Sequence, residues 1–220
     1  MKQIYRFMTK DEFIEYLYNE KGIKLTDDQF YGKKRIYGHL YLEDKTEIPE
    51  GFNPNVGGSL TLSSLTSIPK EFNPMVNGDL FLDGLKEIPE GFNPNVVGNL
   101  YLNNLTEIPE GFNPYVGGDL YLNSLTSIPE GFNPNVGGNL YLNNLTSIPK
   151  GFNPIVNGSL YLNGITHIPE GFNPKVGGGL DLQGLNGIPE NWNPTNINGD
   201  IYIIGVINIK PILNLMNFHI

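Results

Sequence analysis

GFNPNVGGSLTLSSLTSIPK occupies residues 51–70, and this twenty-residue unit recurs without a gap in seven consecutive copies that end at residue 190. Every copy keeps the same framework of Val-x-Gly, Leu-x-Leu and Ile-Pro. A fixed period of this length is typical of a solenoid, in which each coil contacts only its two neighbours. The period therefore predicts a mainly β fold, a right-handed solenoid of about nine coils when the partial coils at both ends are included.

The apolar columns of the repeat indicate which side chains point inward. They recur at Val56, Leu60, Leu62, Leu65, Ile68 and Phe72 and again twenty residues later. The alternation at Leu60-Thr61-Leu62 predicts a short strand over residues 59–63. Stacked coils would then form a parallel β-sheet with one strand per turn.

The proline of each Ile-Pro pair predicts a turn. Glycine usually follows two residues later, as Gly91 follows Pro89, but Glu71 and Asn191 stand at that position in two coils. Because glycine is replaced in these two coils, a positive φ is not strictly required there, so we expect a type I turn rather than a type II turn.

The ends of the chain depart from the repeat. Thr9 and Glu12 form a capping-box pattern, and the helical spacing that follows ends at Lys21-Gly22. We therefore expect a helical N-terminal cap at residues 1–35, the solenoid at residues 36–209 and an apolar C-terminal cap at residues 210–220. That last segment fits a helix or a strand equally, and self-association through it is the alternative to capping.

The pattern Leu-x-Leu-x-x-Leu-x-x-Ile-Pro over residues 100–109 resembles the leucine-rich repeat family, in particular its short bacterial and bacteriophage forms. The resemblance covers roughly residues 36–209 and implies that the outward strand face contacts a ligand. The unit lacks the asparagine that the family usually carries where this chain has Leu105. A curved horseshoe and a straighter β-helix are therefore both open.

The outward strand face carries the candidate binding residues. Its middle column holds an aromatic ring in five consecutive coils, and amide and carboxylate side chains flank it. Tyrosine offers a large contact area at low entropic cost, and asparagine adapts its hydrogen bonds, so the composition is similar to that of a paratope. A stacked ladder, with rings about 5 Å apart, would instead stabilise the strands without any ligand, and both roles are compatible. The candidate partner-binding residues are Phe81, Tyr101, Tyr121, Tyr141, Tyr161, Asn103, Asn123, Asn143, Asp119 and Asn139.

Composition and spacing argue against several classes of function. The chain has no cysteine, and residues 39–220 hold 6 Lys/Arg against 17 Asp/Glu, a net charge of −11, which disfavours nucleic-acid binding. Asp79 and Asp83 would lie about 13 Å apart on one strand, beyond the carboxylate spacing of glycosidases. We therefore expect no catalytic residues, no metal site and no cofactor.

The sequence hypothesis is a non-enzymatic solenoid that binds a protein partner of unknown identity. The resemblance to phage-type repeats suggests a bacterial or phage factor that antagonises a host or defence protein. Alternatives are a carbohydrate-binding module, because exposed tyrosines stack on sugars, and a less favoured acidic mimic of nucleic acid. No uncharged apolar run approaches a membrane-spanning length, so we expect a cytoplasmic protein, in the host-cell cytoplasm if it is viral, without a membrane partner.

Overall fold

The computed structural model describes residues 8–203 and 218–219. Within these residues, two helices, α1 (Lys10–Lys21) and α2 (Asp27–Phe30), precede eighteen two-residue strands, numbered here in chain order. The predicted mainly β solenoid with a small helical cap is confirmed. The predicted C-terminal cap at residues 210–220 lies outside the described residues, apart from the strand at 218–219.

The strands form two parallel sheets, so each turn contributes two strands and not the single strand predicted. Paired residues are twenty positions apart as far as β16, as in Val136 with Val156 and Tyr121 with Tyr141, and Asp181 pairs with Tyr202, twenty-one positions away. The first sheet contains β1 (Arg35–Ile36), β3 (Asn55–Val56), β5 (Met75–Val76), β7 (Asn95–Val96), β9 (Tyr115–Val116), β11 (Asn135–Val136), β13 (Ile155–Val156) and β15 (Lys175–Val176). The second contains β2 (Leu40–Tyr41), β4 (Leu60–Thr61), β6 (Leu80–Phe81), β8 (Leu100–Tyr101), β10 (Leu120–Tyr121), β12 (Leu140–Tyr141), β14 (Leu160–Tyr161), β16 (Leu180–Asp181), β17 (Ile201–Tyr202) and β18 (Phe218–His219).

The extra sheet forms just after the Phe-Asn-Pro motif. The N–H of Met75 donates to the carbonyl of Pro54 and that of Asn77 to Val56, at 3.1 and 3.0 Å. The first sheet has eight strands, about one turn fewer than the nine coils predicted. The reason is that Ile197 makes only an isolated bridge to Val176.

The apolar columns fill the space between the two sheets. Val56, Leu60, Leu62 and Leu65 are completely buried, as predicted, whereas Ile68 is half-buried. A column of phenylalanines runs through this core with adjacent ring centroids 6.1–6.4 Å apart, at positions 52, 72, 92, 112, 132, 152 and 172. The core is therefore one continuous apolar column along the solenoid.

The N-terminal cap closes the first end of this column. The α1 helix begins with the predicted capping box, in which Thr9 and Glu12 bond each other's backbone N–H, and it ends at Gly22 with φ 66°. Phe13 lies on α1 and Phe30 on α2, and their ring centroids lie 4.8 and 5.4 Å from that of Phe52. The cap therefore shields the aromatic edge that the first coil would otherwise expose.

A polar cluster fixes the cap to the first coil. The Tyr16 hydroxyl donates to Asp44 Oδ2 at 2.6 Å, and Lys21 Nζ lies 2.9 Å from Asp44 Oδ1. The Tyr16 hydroxyl and the Lys21 ammonium lower the pKa of Asp44 to about 2. Lys45 Nζ lies 3.2 Å from the centroid of the Tyr16 ring, which adds a cation–π contact.

The turn after each Ile-Pro pair corrects the type I prediction. The N–H of Phe112 donates to the carbonyl of Pro109, and Gly111, the third residue of this turn, has φ 79°. The second residue, Glu110, has no positive φ, and a positive φ at the third position alone is that of a type II turn, in which glycine avoids the steric penalty of a Cβ. No residue other than glycine has a positive φ in the described ranges, so Glu71 and Asn191 adopt a different turn. Type II turns occur at glycines 51, 91, 111, 131, 151 and 171.

Successive coils are held at a similar spacing in both sheets. The N–H of Gly137 donates to the carbonyl of Val116 in the first sheet, and the N–H of Leu120 donates to the carbonyl of Asn139 in the second, each at 2.9 Å. Adjacent outward tyrosines have centroids 4.5–4.6 Å apart, whereas adjacent core phenylalanines are separated by 6.1–6.4 Å. Because parallel pairing fixes the strand spacing in both sheets, the longer centroid distance reflects a larger offset between the phenylalanine rings.

The longer of the two helices, α1, has 12 residues. Within residues 8–203 and 218–219, no helix has both the length and the apolar character that crossing a bilayer requires.

Candidate partner-binding face

Five aromatic side chains form a continuous stack on the outer side of the second sheet. They lie on β6, β8, β10, β12 and β14, where the flanking leucines point into the core and the residue after each first leucine points outward. Adjacent rings lie 4.5–4.6 Å apart with interplanar angles of 4–7°, which confirms the predicted ladder. We call these residues the tyrosine stack: Phe81, Tyr101, Tyr121, Tyr141 and Tyr161, all half-buried.

A ladder of side-chain oxygens runs along one flank of the tyrosine stack. Oδ1 of Asp119 accepts the backbone N–H of Asn139 at 2.7 Å, and Oδ1 of Asn139 accepts that of Ser159 at the same distance. The same bond joins Asp79 to Asn99 and Asn99 to Asp119. Asp119 and Asn139, both predicted partner-binding residues, therefore also join one coil to the next.

The opposite flank is an amide ladder. Nδ2 of Asn123 donates to Oδ1 of Asn103 at 2.9 Å, and Nδ2 of Asn143 donates to Oδ1 of Asn123 at 2.8 Å. The N–H of Asn103 donates to Oδ1 of Asp83, which extends the ladder by one coil. Such bonds hold the amides in one orientation, so this flank is ordered before any partner arrives.

The tyrosine hydroxyls connect the stack to the first flank. The Tyr121 hydroxyl donates to Oδ2 of Asp119 at 3.1 Å, and Nδ2 of Asn139 lies 3.3 Å from the Tyr141 hydroxyl. All ten residues predicted from the sequence therefore lie on one face of the second sheet, which we call the tyrosine face. It consists of the tyrosine stack together with Asn103, Asn123, Asn143, Asp119 and Asn139.

The Phe-Asn-Pro asparagines form a further ladder of hydrogen bonds on the other side of the coil, as expected for an asparagine that recurs one coil away. Oδ1 of Asn133 accepts the N–H of Asn153 at 2.5 Å, and its Nδ2 donates to the carbonyl of Gly151 at 3.1 Å. The presence of asparagine at this position in every full copy is the signal for this bonding. These asparagines stabilise the stacking of coils and take no part in the tyrosine face.

Burial shifts the ionisation of the central tyrosines. Partial removal from water raises the pKa of Tyr121, and the neighbouring Asp119 carboxylate raises it further. Burial and then the charge of Asp119 also raise the pKa of Tyr141. The pKa of these tyrosines is higher in the folded protein than in the unfolded chain, where it is about 10. The neutral phenols therefore contribute to folding stability below pH about 10, and this contribution is lost as the pH rises through the raised pKa values.

We expect the raised pKa of Tyr121 and Tyr141 to appear in an alkaline titration that is followed by tyrosinate absorbance. The wild-type protein should show a late-ionising phase that Tyr121→Phe removes in part. Asp119→Asn should leave most of the shift, because burial is its larger cause. Tyr37→Phe, at an open surface position, serves as the control and should leave the late phase intact. A late phase that survives Tyr121→Phe unchanged would contradict this description of the stack.

Histidine and carboxylate side chains do not converge on a metal site in the described part of the chain. No cluster of three or more histidine, aspartate or glutamate side chains with suitable geometry occurs there. His39 lies at the start of the oxygen ladder, where its Nδ1 accepts the N–H of Ser59 at 3.0 Å, and His167 bonds Thr166. These histidines therefore have local structural partners.

Comparison with models of protein families, with curated proteins and with solved structures finds no match to this chain.

Proposed function

We propose that this chain is a non-enzymatic solenoid that binds a protein partner through the tyrosine face. The observation that carries the proposal is the stack of five rings between two ordered polar ladders. Hydrogen bonds between coils already fix the flanking side chains, so binding costs little further side-chain entropy. The ring edges, hydroxyls and amides together offer the mixture of apolar and polar contacts typical of protein recognition.

The geometry of the stack favours a protein over a carbohydrate. A sugar ring packs against an open aromatic face, whereas neighbours at 4.5–4.6 Å cover both faces of Tyr101, Tyr121 and Tyr141. Only the ring edges and hydroxyls of these three tyrosines face outward. A nucleic-acid mimic would need a dense row of carboxylates, but Asp119 is the sole acidic member of the tyrosine face.

The resemblance of the repeat to short bacterial and phage leucine-rich repeats is the reason for proposing a narrower role. In that role the protein is a bacterial or phage factor whose partner is a host or defence protein.

We test the proposal with a triple variant, Tyr101→Thr, Tyr121→Thr and Tyr141→Thr. Threonine is chosen because Thr61 occupies the same column in a native coil. Affinity capture from an extract of the source organism, followed by mass spectrometry, should recover a partner with the wild-type protein. We expect the variant to recover at least about tenfold less, since aromatic anchors dominate binding energy.

Two controls separate binding from folding. Tyr115→Thr alters an exposed tyrosine on the first sheet, away from the tyrosine face, and should leave recovery unchanged. A second triple variant, Tyr101→Phe, Tyr121→Phe and Tyr141→Phe, removes only the hydroxyls. Its rings should still stack, because Phe81 is already part of the stack in the native protein. It should remain as stable as the wild type yet recover less partner. Equal recovery by all variants would exclude the tyrosine face as the binding surface.

A further inference from the structure

The coil at residues 171–190 departs from the repeat at all three outward positions of its strand. Gly179 replaces the Asp, Asn or Ser of the oxygen ladder, Asp181 replaces the aromatic ring, and Gln183 replaces the asparagine of the amide ladder. Each of the four preceding coils has Asp, Asn or Ser at the first of these positions, tyrosine at the second and asparagine at the third. The three changes together produce one local feature at the end of the tyrosine stack.

That feature is a slot between two aromatic rings. Strand β16 pairs with β14 on one side and β17 on the other, so Asp181 lies between Tyr161 and Tyr202 in register. The missing ring leaves two strand spacings, about 9.6 Å, between the columns of these tyrosines. The resulting cavity has a volume of about 500 Å³, and its lining also includes Ser159, Gly179, Gln183, Gly199 and Asp200. One flat group fits there at the spacing that the tyrosine stack uses for its own rings.

Asp181 forms the floor of this slot. It is the one charged side chain classed as buried in the described part of the chain, with 9% of its surface exposed. Nε2 of Gln183 donates to its Oδ2 at 3.0 Å, and the Asn163 amide, oriented to donate, lies 2.6 Å from its Oδ1. Both of these donors are neutral, and no ion pair to a lysine or arginine is found for Asp181 within residues 8–203. A buried carboxylate without a cation is costly, so the slot electrostatically favours a positively charged ligand.

We propose that the slot binds an arginine side chain presented by the protein partner, an inference that rests on the proposed function. The guanidinium group is flat and delocalised, so it stacks between Tyr161 and Tyr202 and bonds the Asp181 carboxylate with its N–H groups. The ammonium of lysine is not flat and would fill the slot poorly. A neutral ring would stack but leave the Asp181 charge uncompensated.

The acidic character of the solenoid supports this choice of ligand. Residues 39–220 carry a net charge of −11, which attracts a basic surface. The other interrupted position of the stack, Thr61 between Tyr41 and Phe81, has an uncharged floor. The inference therefore rests on the Asp181 coil alone.

The slot can be tested in the isolated protein with small probes. N-acetyl-arginine amide is titrated into the protein, and the aromatic resonances of Tyr161 and Tyr202 are followed by NMR. We expect saturable shifts with a Kd in the millimolar range, as for a single desolvated cation contact. N-acetyl-citrulline amide has nearly the same shape without the charge and should bind at least about tenfold more weakly.

Variants of the floor residue complete the test. Asp181→Asn should abolish the arginine response, whereas Asp79→Asn, in the oxygen ladder at the opposite end of the tyrosine stack, should leave it intact. Asp181→Tyr restores the ring found in the four preceding coils, so the protein should stay folded while the slot is filled and the response is lost. Equal shifts with arginine and citrulline, or a response retained in Asp181→Asn, would overturn the inference.

Capture experiments keep this inference separate from the proposed function. If Asp181→Tyr recovers less partner than wild type, the slot contributes to docking as proposed. If Asp181→Tyr recovers the partner fully while the Thr triple variant does not, the arginine inference is wrong and the tyrosine face still stands as the binding surface.

Discussion

Phe112→Ala is expected to lower the free energy of unfolding by about 3–5 kcal/mol, the cost typical of truncating a buried aromatic residue. Phe112 is 2% exposed and stacks between Phe92 and Phe132, each with its ring centroid 6.1 Å away. Because each coil contacts only its neighbours, a cavity at this position weakens the interfaces on both sides.

Urea denaturation followed by far-ultraviolet circular dichroism measures this effect. Tyr115→Ala is the matched control, since Tyr115 is an aromatic residue of the same coil with 57% of its surface exposed. It should change stability by no more than about 0.5 kcal/mol. Equal losses from the two substitutions would show that the phenylalanine column is not the core of the solenoid.

Gly138→Ala is expected to destabilise the protein by at least about 3 kcal/mol, because it combines overpacking with a lost hydrogen bond. A Cβ at this position would lie 2.2 Å from Oδ1 of Asp119 and 2.8 Å from the carbonyl carbon of Gly118. The first atom accepts the N–H of Asn139, so displacing it breaks the oxygen ladder. The second belongs to the backbone of the preceding coil and cannot move without separating the coils.

Gly187→Ala provides the comparison for this substitution. A Cβ added to Gly187 would meet no atom within 4 Å, this glycine has no positive φ, and the equivalent residues of other coils include Ser67 and Glu87. In thermal unfolding, we expect Gly187→Ala to raise the free energy of unfolding by no more than about 1 kcal/mol, because alanine restricts the unfolded chain. A Gly138→Ala protein as stable as wild type would mean that the coils are less closely stacked at this column than the structure shows.

The solenoid itself was predictable because the repeat displays its core directly. Columns such as Leu60 and Leu62 hold the same apolar residue in nearly every coil, and only stacking can bury them all. The first sheet was missed because its strands, such as Asn55–Val56, have two residues and show no alternation long enough to recognise. The turn type was predicted wrongly because Glu71 and Asn191 were taken to represent all coils, whereas the glycine-containing coils adopt type II.

The candidate face was predictable in position but not in its bonding. A column of aromatic residues twenty positions apart must lie on one line of a solenoid, so the stack followed from the period. The role of Asp119 as an acceptor for the N–H of Asn139 depends on how closely the coils approach each other, which the sequence does not reveal. The sequence also aligned Tyr202 with Asp181 across a one-residue insertion, and the structure confirms that pairing. The burial of Asp181 that defines the slot depends on the packing around it, which the sequence does not reveal.

Photo-crosslinking tests the central claim, that the tyrosine face is the surface that binds a protein, most directly. Benzoylphenylalanine is placed at position 121, where its first ring can take the place of the tyrosine in the stack and its benzoyl group projects outward. Benzoylphenylalanine at position 115 lies on the first sheet of the same coil and reports whether a partner contacts that sheet instead. We predict that irradiation in native cells yields a specific crosslinked protein from position 121 and none from position 115. Crosslinking from position 115 alone would contradict the assignment of the binding surface to the tyrosine face.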